Sequence, residues 1–324
     1  MELILADKKG RDMKTLVYSS CDFDLGGEND FEITVALEDW QPDIDFGCRV
    51  YEAGSECGGI INAVESDTAQ KVIKIKGLTW RGLLANRIIV PPSGTDYRTV
   101  SGELNAVIDQ IIGTMYDGVL RAASEDTGIS VSNYQFDRYT TVLDGLTKML
   151  KTKGYKLKIS YVQGEAGAVG YVEISAVPIV DYSDRIELSQ DDRLNFTIEV
   201  NKGSVNHLIC LGEGELKNRQ VIDLYLQQDG SIGREPFYFG INEITATYEN
   251  ANSEDLETDG IKHFQELISG VSLAMDVESL DIDVEIGDVI GGRDYITGMS
   301  VKKALASKII TFEEVKSVQY NLEE

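Results

Sequence analysis

The chain has 324 residues, with 30 Lys and Arg against 55 Asp and Glu, so its formal net charge is −25. This imbalance excludes a nucleic-acid-binding surface and a basic domain that binds membrane surfaces, because both need clustered Lys and Arg. Hydrophobic residues at 42% and charged residues at 26% are ordinary for a globular protein and exclude wholesale disorder.

The start of the chain predicts a protein made in the cytosol without a signal peptide or membrane span. Residues 1–8 carry an acid where a secretory signal carries bases, and their apolar run is short. No apolar stretch approaches the ~20 residues that span a bilayer, so stable membrane insertion is not expected. The cysteine spacing fits neither a disulfide framework nor a Cys-x-x-Cys motif, which predicts reduced and mostly buried thiols at Cys21, Cys48, Cys57 and Cys210.

Residues 1–90 are predicted to form a first β-barrel domain, because apolar and polar residues alternate with a period of two. The clearest strand spans 31–38 and places Phe31, Ile33, Val35 and Leu37 on one face. Further strands are predicted at 13–20, 48–53, 59–65 and 71–76. Glycines between these segments are typical of turns or bulges.

Residues 95–183 are predicted to form an α+β domain. Before it, Thr79 can cap a short helix that continues to residue 87, and Pro91 with Pro92 ends the segment. A linker over 93–99 then leads to a helix with Ser101 as the N-cap and Glu103 in its first turn. The apolar stripe of this helix consists of Leu104, Val107, Ile108, Ile111, Ile112 and Met115.

A second helix of this domain begins at Thr140 or Thr141 and ends before Gly154, a residue suited to the C′ position. Lys151 and Lys153 complement the negative end of its dipole. Its inner face consists of Val142, Leu143, Leu146, Met149 and Leu150. Strands are predicted at 155–162 and 171–177, joined by a glycine-rich turn.

Residues 184–228 and 270–324 are predicted to form a second β-barrel, and 229–269 a strand–helix insertion associated with the α+β part. Strand patterns occur at 194–200, 205–211, 219–227, 237–249, 271–277, 281–290 and 299–320. Ser253 can cap the helix and Gly270 can end it, while Gly260 weakens its predicted continuity. Its lining consists of Leu256, Ile261, Phe264, Leu267 and Ile268. The predicted fold class is therefore mainly β with α+β insertions: two small antiparallel β-barrels plus an α+β domain.

The chain has two histidines, His207 and His263, which limits the options for catalysis. Ser204 precedes His207 on one predicted strand without a Gly-x-Ser-x-Gly elbow, so we interpret His207 as a structural histidine. His263 is interpreted as a solvated helix residue. No His-Glu-x-x-His occurs, which excludes that class of zinc protease.

Two further patterns resemble binding loops without their required residues. The stretch Gly212-Glu213-Gly214-Glu215 lacks the third glycine of a phosphate loop and carries acids that repel phosphate, so it predicts a tight turn or a bulge between strands. At 281–286 acids alternate with apolar residues, and Ile286 occupies the position where a calcium loop needs glycine. Acids at 254–259 fit a helix N-terminus. The sequence therefore predicts no catalytic, cofactor-binding or metal-binding residue, although 55 acids could always supply a glycosidase pair.

Three stretches resemble the tail-hub proteins of long-tailed phages and prophages. They read GLTWRGLLANRIIVPP at 77–92, VNHLICLGEGELKNR at 205–219 and IGDVIGGRD at 286–294, the last continuing through Thr297 and Gly298 to 308–310. Their order is that of the siphophage-type baseplate or tail-tip hub family, and the likeness runs over nearly the whole chain. The resemblance implies that Trp80 packs in a core and that Gly212, Gly287 and Gly291 permit turns.

The same resemblance implies a structural virion protein without catalytic residues or cofactors. Three chains, each with two barrels, would form a homotrimeric ring around a channel at the distal end of the tail tube, in contact with the distal tail or tube protein, the tape-measure protein and tip or fibre proteins. Hydrolase or receptor-binding modules follow the hub in some family members, and here we expect them in other proteins. A trimer would carry about three times −25 charges, and acids lining the channel would repel DNA as passing cargo.

Two functions from other classes stay open on the sequence alone. A tail-associated cell-wall hydrolase would need a cleft with two carboxylates or with a nucleophile and a base. A carbohydrate-binding tail-tip protein would need exposed aromatic platforms, and the 15 Tyr leave that possibility open without indicating a surface.

Overall fold

The computed structural model describes residues 1–165, 168–183, 187–188, 195–200, 205–228, 230–250, 255–268, 271–276, 284–293 and 300–323. The chain divides into two compact units: a larger unit, Met1–Phe196 with Met275–Glu323, and a smaller unit, Thr197–Ala274. The described residues form 22 strands and four α-helices. The prediction of a mainly β chain with an α+β part is therefore confirmed.

The largest sheet has 11 strands, which run in the order β13-β20-β21-β3-β4-β7-β6-β5-β1-β2, with β22 pairing β21. All pairs except β13 with β20 are antiparallel. These strands are β1 (Ile4–Ala6), β2 (Asp12–Thr15), β3 (Ser20–Leu25), β4 (Asp30–Ala36), β5 (Arg49–Tyr51), β6 (Gly58–Asp67), β7 (Val72–Thr79), β13 (Glu187–Leu188), β20 (Val289–Arg293), β21 (Ser300–Phe312) and β22 (Lys316–Leu322).

The large sheet curls around one apolar core. Leu5 on β1 and Phe23 on β3 belong to the same buried cluster, although β5, β6, β7 and β4 lie between their strands. Phe31, Ile33 and Val35 point into this core as their alternation predicts. The described strands at the two ends of the sheet do not pair, so over these residues the curled sheet is not a closed barrel.

The C-terminal strands differ from the predicted division of the chain. Instead of forming a second barrel with 184–228, β21 pairs with β3 and thereby joins β20 and β22 to the sheet of the first 79 residues. Among the described residues of 184–228, β13 alone takes part in this sheet. This pairing joins residues nearly 300 positions apart, and no local pattern in either strand specifies it.

Two strand boundaries also differ from the prediction. The predicted strand at 13–20 is interrupted: β2 ends at Thr15, the Leu16 amide still donates to the Leu3 carbonyl of the neighbouring chain segment at 2.8 Å, and β3 begins only at Ser20. Strand β4 ends at Ala36, so Leu37 begins a 3₁₀ turn and is half exposed instead of facing the core.

The α+β part of the larger unit packs three helices against short strands around a second core. Strands β8 and β10 form one pair, and β11-β12-β9 form a three-stranded sheet in which β9 is parallel to β12. The elements are α1 (Trp80–Ala85), β8 (Thr99–Glu103), α2 (Leu104–Ile112), β9 (Leu120–Ala122), β10 (Ser130–Gln135), α3 (Val142–Lys151), β11 (Tyr155–Val162) and β12 (Tyr171–Pro178).

Helix caps follow the predictions at two of the three helices. The Thr79 hydroxyl accepts from the Gly82 amide and the Thr141 hydroxyl from the Asp144 amide, as expected. At α2 the predicted cap is wrong: Ser101 lies in β8, and the Glu103 carboxylate accepts from the Ala106 amide at 2.9 Å.

An aromatic stack joins the curled sheet to the α+β core. The Tyr51 ring on β5 stacks on Tyr161 of β11 with 3.6 Å between centroids, and the Trp80 ring also stacks on Tyr161 with 5.6 Å between centroids. All three rings are buried, so the expectation that Trp80 packs in a core is confirmed. Burial of three large rings supplies much of the apolar area that joins these layers.

A buried ion cluster links β11 to the turn before β20. The Lys156 ammonium lies 2.6 Å from Asp288 and 2.8 Å from Glu285. The Asp288 carboxylate also accepts from the amides of Val180 and Glu285. Burial opposes ionisation of Glu285, but the hydrogen bond and charge of Lys156 outweigh it and lower the pKa of that carboxyl.

The smaller unit packs one helix on a four-stranded sheet of order β17-β16-β15-β18. Strand β18 is parallel to β15, and the other pairs are antiparallel. A further two-stranded sheet pairs β14 with β19. The elements are β14 (Asn195–Val200), β15 (His207–Leu211), β16 (Val221–Leu226), β17 (Ile232–Gly233), β18 (Thr245–Glu249), α4 (Leu256–Ile268) and β19 (Val271–Asp276).

Gly260 is required by the packing of α4. A Cβ at this position would collide with the Cys210 sulfur and would lie 3.1 Å from Leu224 on the sheet below. The glycine that weakened the sequence prediction therefore lets the helix approach the sheet. The predicted helix ends, Ser253 and Gly270, lie outside the described residues. No helix of the described part is long and apolar enough to cross a membrane.

Candidate assembly surface

The segment 234–244 of the smaller unit presents apolar side chains to solvent. Phe239 is 64% exposed and Ile241 fully exposed, and both lie at a 3₁₀ turn over Gly240–Asn242. Phe237 and Ile244 are also exposed. The predicted strand at 237–249 is therefore confirmed only for β18, and we call 234–244 the apolar loop.

The apolar loop is held in place by Asn206 at the start of β15. The Asn206 side-chain amide donates to the Asn242 carbonyl at 2.7 Å, and its oxygen accepts from the Ile244 amide at 2.8 Å. The Asn206 amide also donates to the Ile244 carbonyl. These bonds use a buried polar side chain to fix a loop whose own side chains lie outside.

His207 adds a side-chain contact to the same loop. Its Nδ1 lies 2.7 Å from the Glu243 carboxylate and its Nε2 lies 2.9 Å from Asp223, while the ring stacks on Tyr225. Both ring nitrogens lie within hydrogen-bond distance of carboxylate oxygens, so the ring links β16 to the apolar loop. The imidazole is buried among these side chains of the sheet, and Ser204 lies outside the described residues.

The glycine-rich stretch after β15 forms a tight turn, as predicted. The Gln220 amide donates to the Glu213 carbonyl, and Gly214 adopts a φ of +100° that favours glycine. The turn leaves Leu216 93% exposed, and Val221 beside it is half exposed. The smaller unit therefore carries a second, smaller group of exposed apolar side chains.

The remaining residues that the sequence analysis singled out are a histidine, four cysteines and two glycines. His263 on α4 stacks on Tyr248 at 4.6 Å, so it is not simply solvated. All four cysteines are free and buried, as predicted. Gly287 forms a turn with φ of +96°, whereas Gly291 lies in β20 and gives room to Ser183.

Within the described ranges no three His, Cys, Asp or Glu side chains are placed to hold a metal ion. The acids at 281–283 and the pair Thr297 and Gly298 lie outside those ranges. The geometry that does stand out is a fixed loop with exposed Phe and Ile side chains, a feature typical of protein–protein contacts. In the sequence, Pro236 and Gly240 indicated this loop, since both residues disfavour an uninterrupted strand.

Comparison with known proteins gives matches among solved structures alone: no family model and no curated protein matches this chain. The 43 kDa tail protein of prophage MuSo2 from Shewanella oneidensis is similar with a TM-score of 0.58 and 12% identity, over 100% of this chain and 98% of that one. Prophage tail protein gp18 from Listeria monocytogenes EGD-e is similar with a TM-score of 0.54 and 14% identity, over 99% and 94%.

A chain of the phage P2 baseplate in its activated conformation is similar with a TM-score of 0.52 and 10% identity, over 99% of this chain and 98% of that chain. At these identities the likeness concerns the fold, and it extends over almost the full length of each chain. The chain therefore has the fold of phage tail and baseplate proteins.

Proposed function

We propose that this chain is a structural, non-enzymatic phage tail hub protein that joins the distal tail tube to the baseplate or tail tip. The observation that carries the proposal is the full-length likeness to solved prophage tail and baseplate proteins. The three sequence stretches at 77–92, 205–219 and 286–294 support it independently, since they resemble the hub family.

The proposed assembly is a homotrimeric ring with a central channel. Closed symmetry lets three copies of one chain present repeated sheets to a tail tube of higher symmetry. The proposed partners are the distal tail or tube protein, the tape-measure protein and tip or fibre proteins. DNA is a passing cargo, repelled by the acidic residues of a chain with net charge −25.

We assign the apolar loop to contacts between copies of the chain. Its fixed backbone lowers the entropy lost on association, and Phe239 with Ile241 supplies apolar area to bury. Aromatic residues are also enriched at the centres of protein interfaces.

Two measurements test the proposal. Gold-labelled antibodies on purified particles are expected to mark the distal end of the tail, and particles that lack the chain would overturn the proposal. Sedimentation equilibrium is expected to give about 107 kDa, three times the chain mass of 35.8 kDa. A monomer that also fails to join purified tail tubes would reject the ring, and clearing of bacterial cell wall in a zymogram would instead favour a hydrolase.

A further inference from the structure

A cleft in the larger unit lies between the β21–β22 hairpin, β11 and the turn after β5, and it has a volume of about 150 Å³. The hairpin residues that line it are cross-strand neighbours, with Lys308 opposite Tyr320 and Ile310 opposite Val318. Lys316 follows on the same face of β22. The hairpin thus supplies an apolar floor with an ammonium group near each end.

A third lysine enters the cleft from β11. Lys158 lines it together with the Ser160 hydroxyl, a further hydrogen-bond donor. Among the described residues none of Lys158, Lys308 and Lys316 forms an ion pair, whereas Lys14, for example, lies 2.6 Å from Asp43. Three unpaired ammonium groups in one cleft are unexpected in a chain with 55 acids and 30 bases.

The carboxylates that line the cleft offset these lysines only in part. Glu56 pairs with the Arg81 guanidinium, while Lys156 is shared between Glu285 and the buried Asp288. Glu52 and Glu285 are therefore left to offset three ammonium groups, which gives the cleft one excess positive charge.

The back of the cleft adds no negative charge. Burial raises the pKa of the Cys57 thiol to about 12, so the thiol is neutral at physiological pH. The Ser55 hydroxyl is occupied, since it donates to the Glu52 carbonyl and accepts from the Cys57 amide. The unsatisfied groups in the cleft are therefore predominantly cationic donors.

We propose that this cleft binds an oxyanion of the phosphate class through the ammonium groups of Lys158, Lys308 and Lys316. The excess positive charge attracts an anion, and three ammonium groups with the Ser160 hydroxyl offer donors to several oxygens of one ligand. Lysine binds phosphate as a point charge and needs no planar bidentate geometry, which suits three flexible side chains from β11 and the β21–β22 hairpin. The inference does not depend on the proposed tail function.

The test is isothermal titration of inorganic phosphate into the full-length chain at constant ionic strength, with sodium chloride as the balancing salt. One saturable site per chain is expected, with at least tenfold weaker binding in the triple variant Lys158→Gln, Lys308→Gln and Lys316→Gln. The matched control changes Lys9, Lys153 and Lys217 to Gln, which removes the same three charges elsewhere on the chain. Its affinity for phosphate is expected to equal that of the unchanged chain.

A second pair of measurements separates loss of the site from loss of the fold. The double variant Lys158→Gln with Lys316→Gln changes only exposed side chains, so its circular dichroism is expected to match that of the unchanged chain while phosphate binding weakens. No saturable phosphate binding, or equal weakening in the control triple variant, would overturn the proposal. Equal or tighter binding of succinate would overturn the assignment to the phosphate class, because it would indicate a site for carboxylates.

Discussion

The larger and smaller units use their aromatic and charged side chains differently. In the larger unit Trp80, Tyr51 and Tyr161 stack inside the core, and Lys156 is buried between acids. In the smaller unit the described core is a small group of buried side chains beneath α4, while aromatic side chains of the apolar loop lie in solvent. We infer that the larger unit supplies rigidity and the smaller unit a surface for association, and each of the following changes tests that division.

The largest expected effect is that of Trp80→Ala. Removal of a fully buried indole leaves a cavity and is expected to lower the free energy of unfolding of the larger unit by about 3–5 kcal/mol. Urea denaturation followed by circular dichroism measures this change. The matched variant Phe237→Ala, at a partly exposed ring of the smaller unit, is expected to cost no more than ~0.5 kcal/mol. Equal losses in both variants would contradict the comparison.

Lys156→Met is expected to cost about 3 kcal/mol, because it leaves the Asp288 carboxylate buried without its cation. The control is Lys151→Met, which removes the exposed ion pair with Glu323 and is expected to cost ~1 kcal/mol or less. Guanidinium denaturation of the two variants gives the difference. A loss in Lys156→Met as small as in the control would show that the buried cluster does not stabilise this turn.

Gly260→Ala tests whether packing or helix propensity decides the stability of the smaller unit. Propensity alone would favour alanine by ~1 kcal/mol, whereas the collision with Cys210 is expected to produce a net loss of about 1–3 kcal/mol. Thermal unfolding monitored at the helix signal measures the sign. Gln265→Ala on the exposed side of α4 serves as the control, with an expected change within ~0.5 kcal/mol. Stabilisation by Gly260→Ala would show that α4 is loosely packed.

Glu103→Gln tests a cap of the larger unit by its pH dependence. Burial opposes ionisation of Glu103, but hydrogen bonds from Thr127 and Ala106 outweigh it and lower the pKa to about 2, from 4.5 in an unfolded chain. Its contribution to stability is therefore complete above about pH 4.5 and disappears as the pH falls towards 2. The variant is expected to be about 1 kcal/mol less stable at pH 7 and equal to the unchanged chain near pH 2.

Denaturation curves at several pH values measure the contribution of this cap. Asp255→Asn supplies the comparison in the smaller unit, since hydrogen bonds from Thr258 lower the pKa of an exposed Asp255 carboxyl. The same sign and a smaller change are expected there, because water screens the exposed group. A Glu103 variant whose deficit is independent of pH would indicate a steric effect instead of lost charge.

Local patterns in the sequence were sufficient for much of the fold. The alternation at Phe31, Ile33 and Val35 specified a strand face, and Thr141 specified a helix start, because both depend on residues close in the chain. The prediction of Ser101 as the N-cap of α2 was wrong. The fold brings the Thr127 hydroxyl to the Glu103 carboxylate and orients Glu103 as the cap instead. Helix α4 formed despite Gly260 because its packing on the sheet outweighs propensity.

Contacts between distant segments could not be predicted from the sequence. The pairing of β21 with β3 and the bond from Lys156 to Asp288, 132 positions apart, arise only in the folded chain. The apolar loop was mistaken for a strand because its Phe and Ile residues alternate, whereas the side chain of Asn206 satisfies its backbone from outside the segment. Sites built from such contacts have no signature in any one stretch.

The smallest expected effect on stability, and the sharpest test of the division, is that of Phe239→Ser with Ile241→Ser in the apolar loop. Both side chains lie in solvent, so the free energy of unfolding is expected to change by no more than ~0.5 kcal/mol. Association of the chains is expected to weaken at least tenfold in sedimentation equilibrium, since the apolar area to be buried is removed. Phe46→Ser with Val315→Ser removes comparable exposed side chains from the larger unit and is expected to leave association unchanged. If the two double variants weaken association equally, exposed apolar residues promote association wherever they lie on the chain. The smaller unit would then have no special role in association.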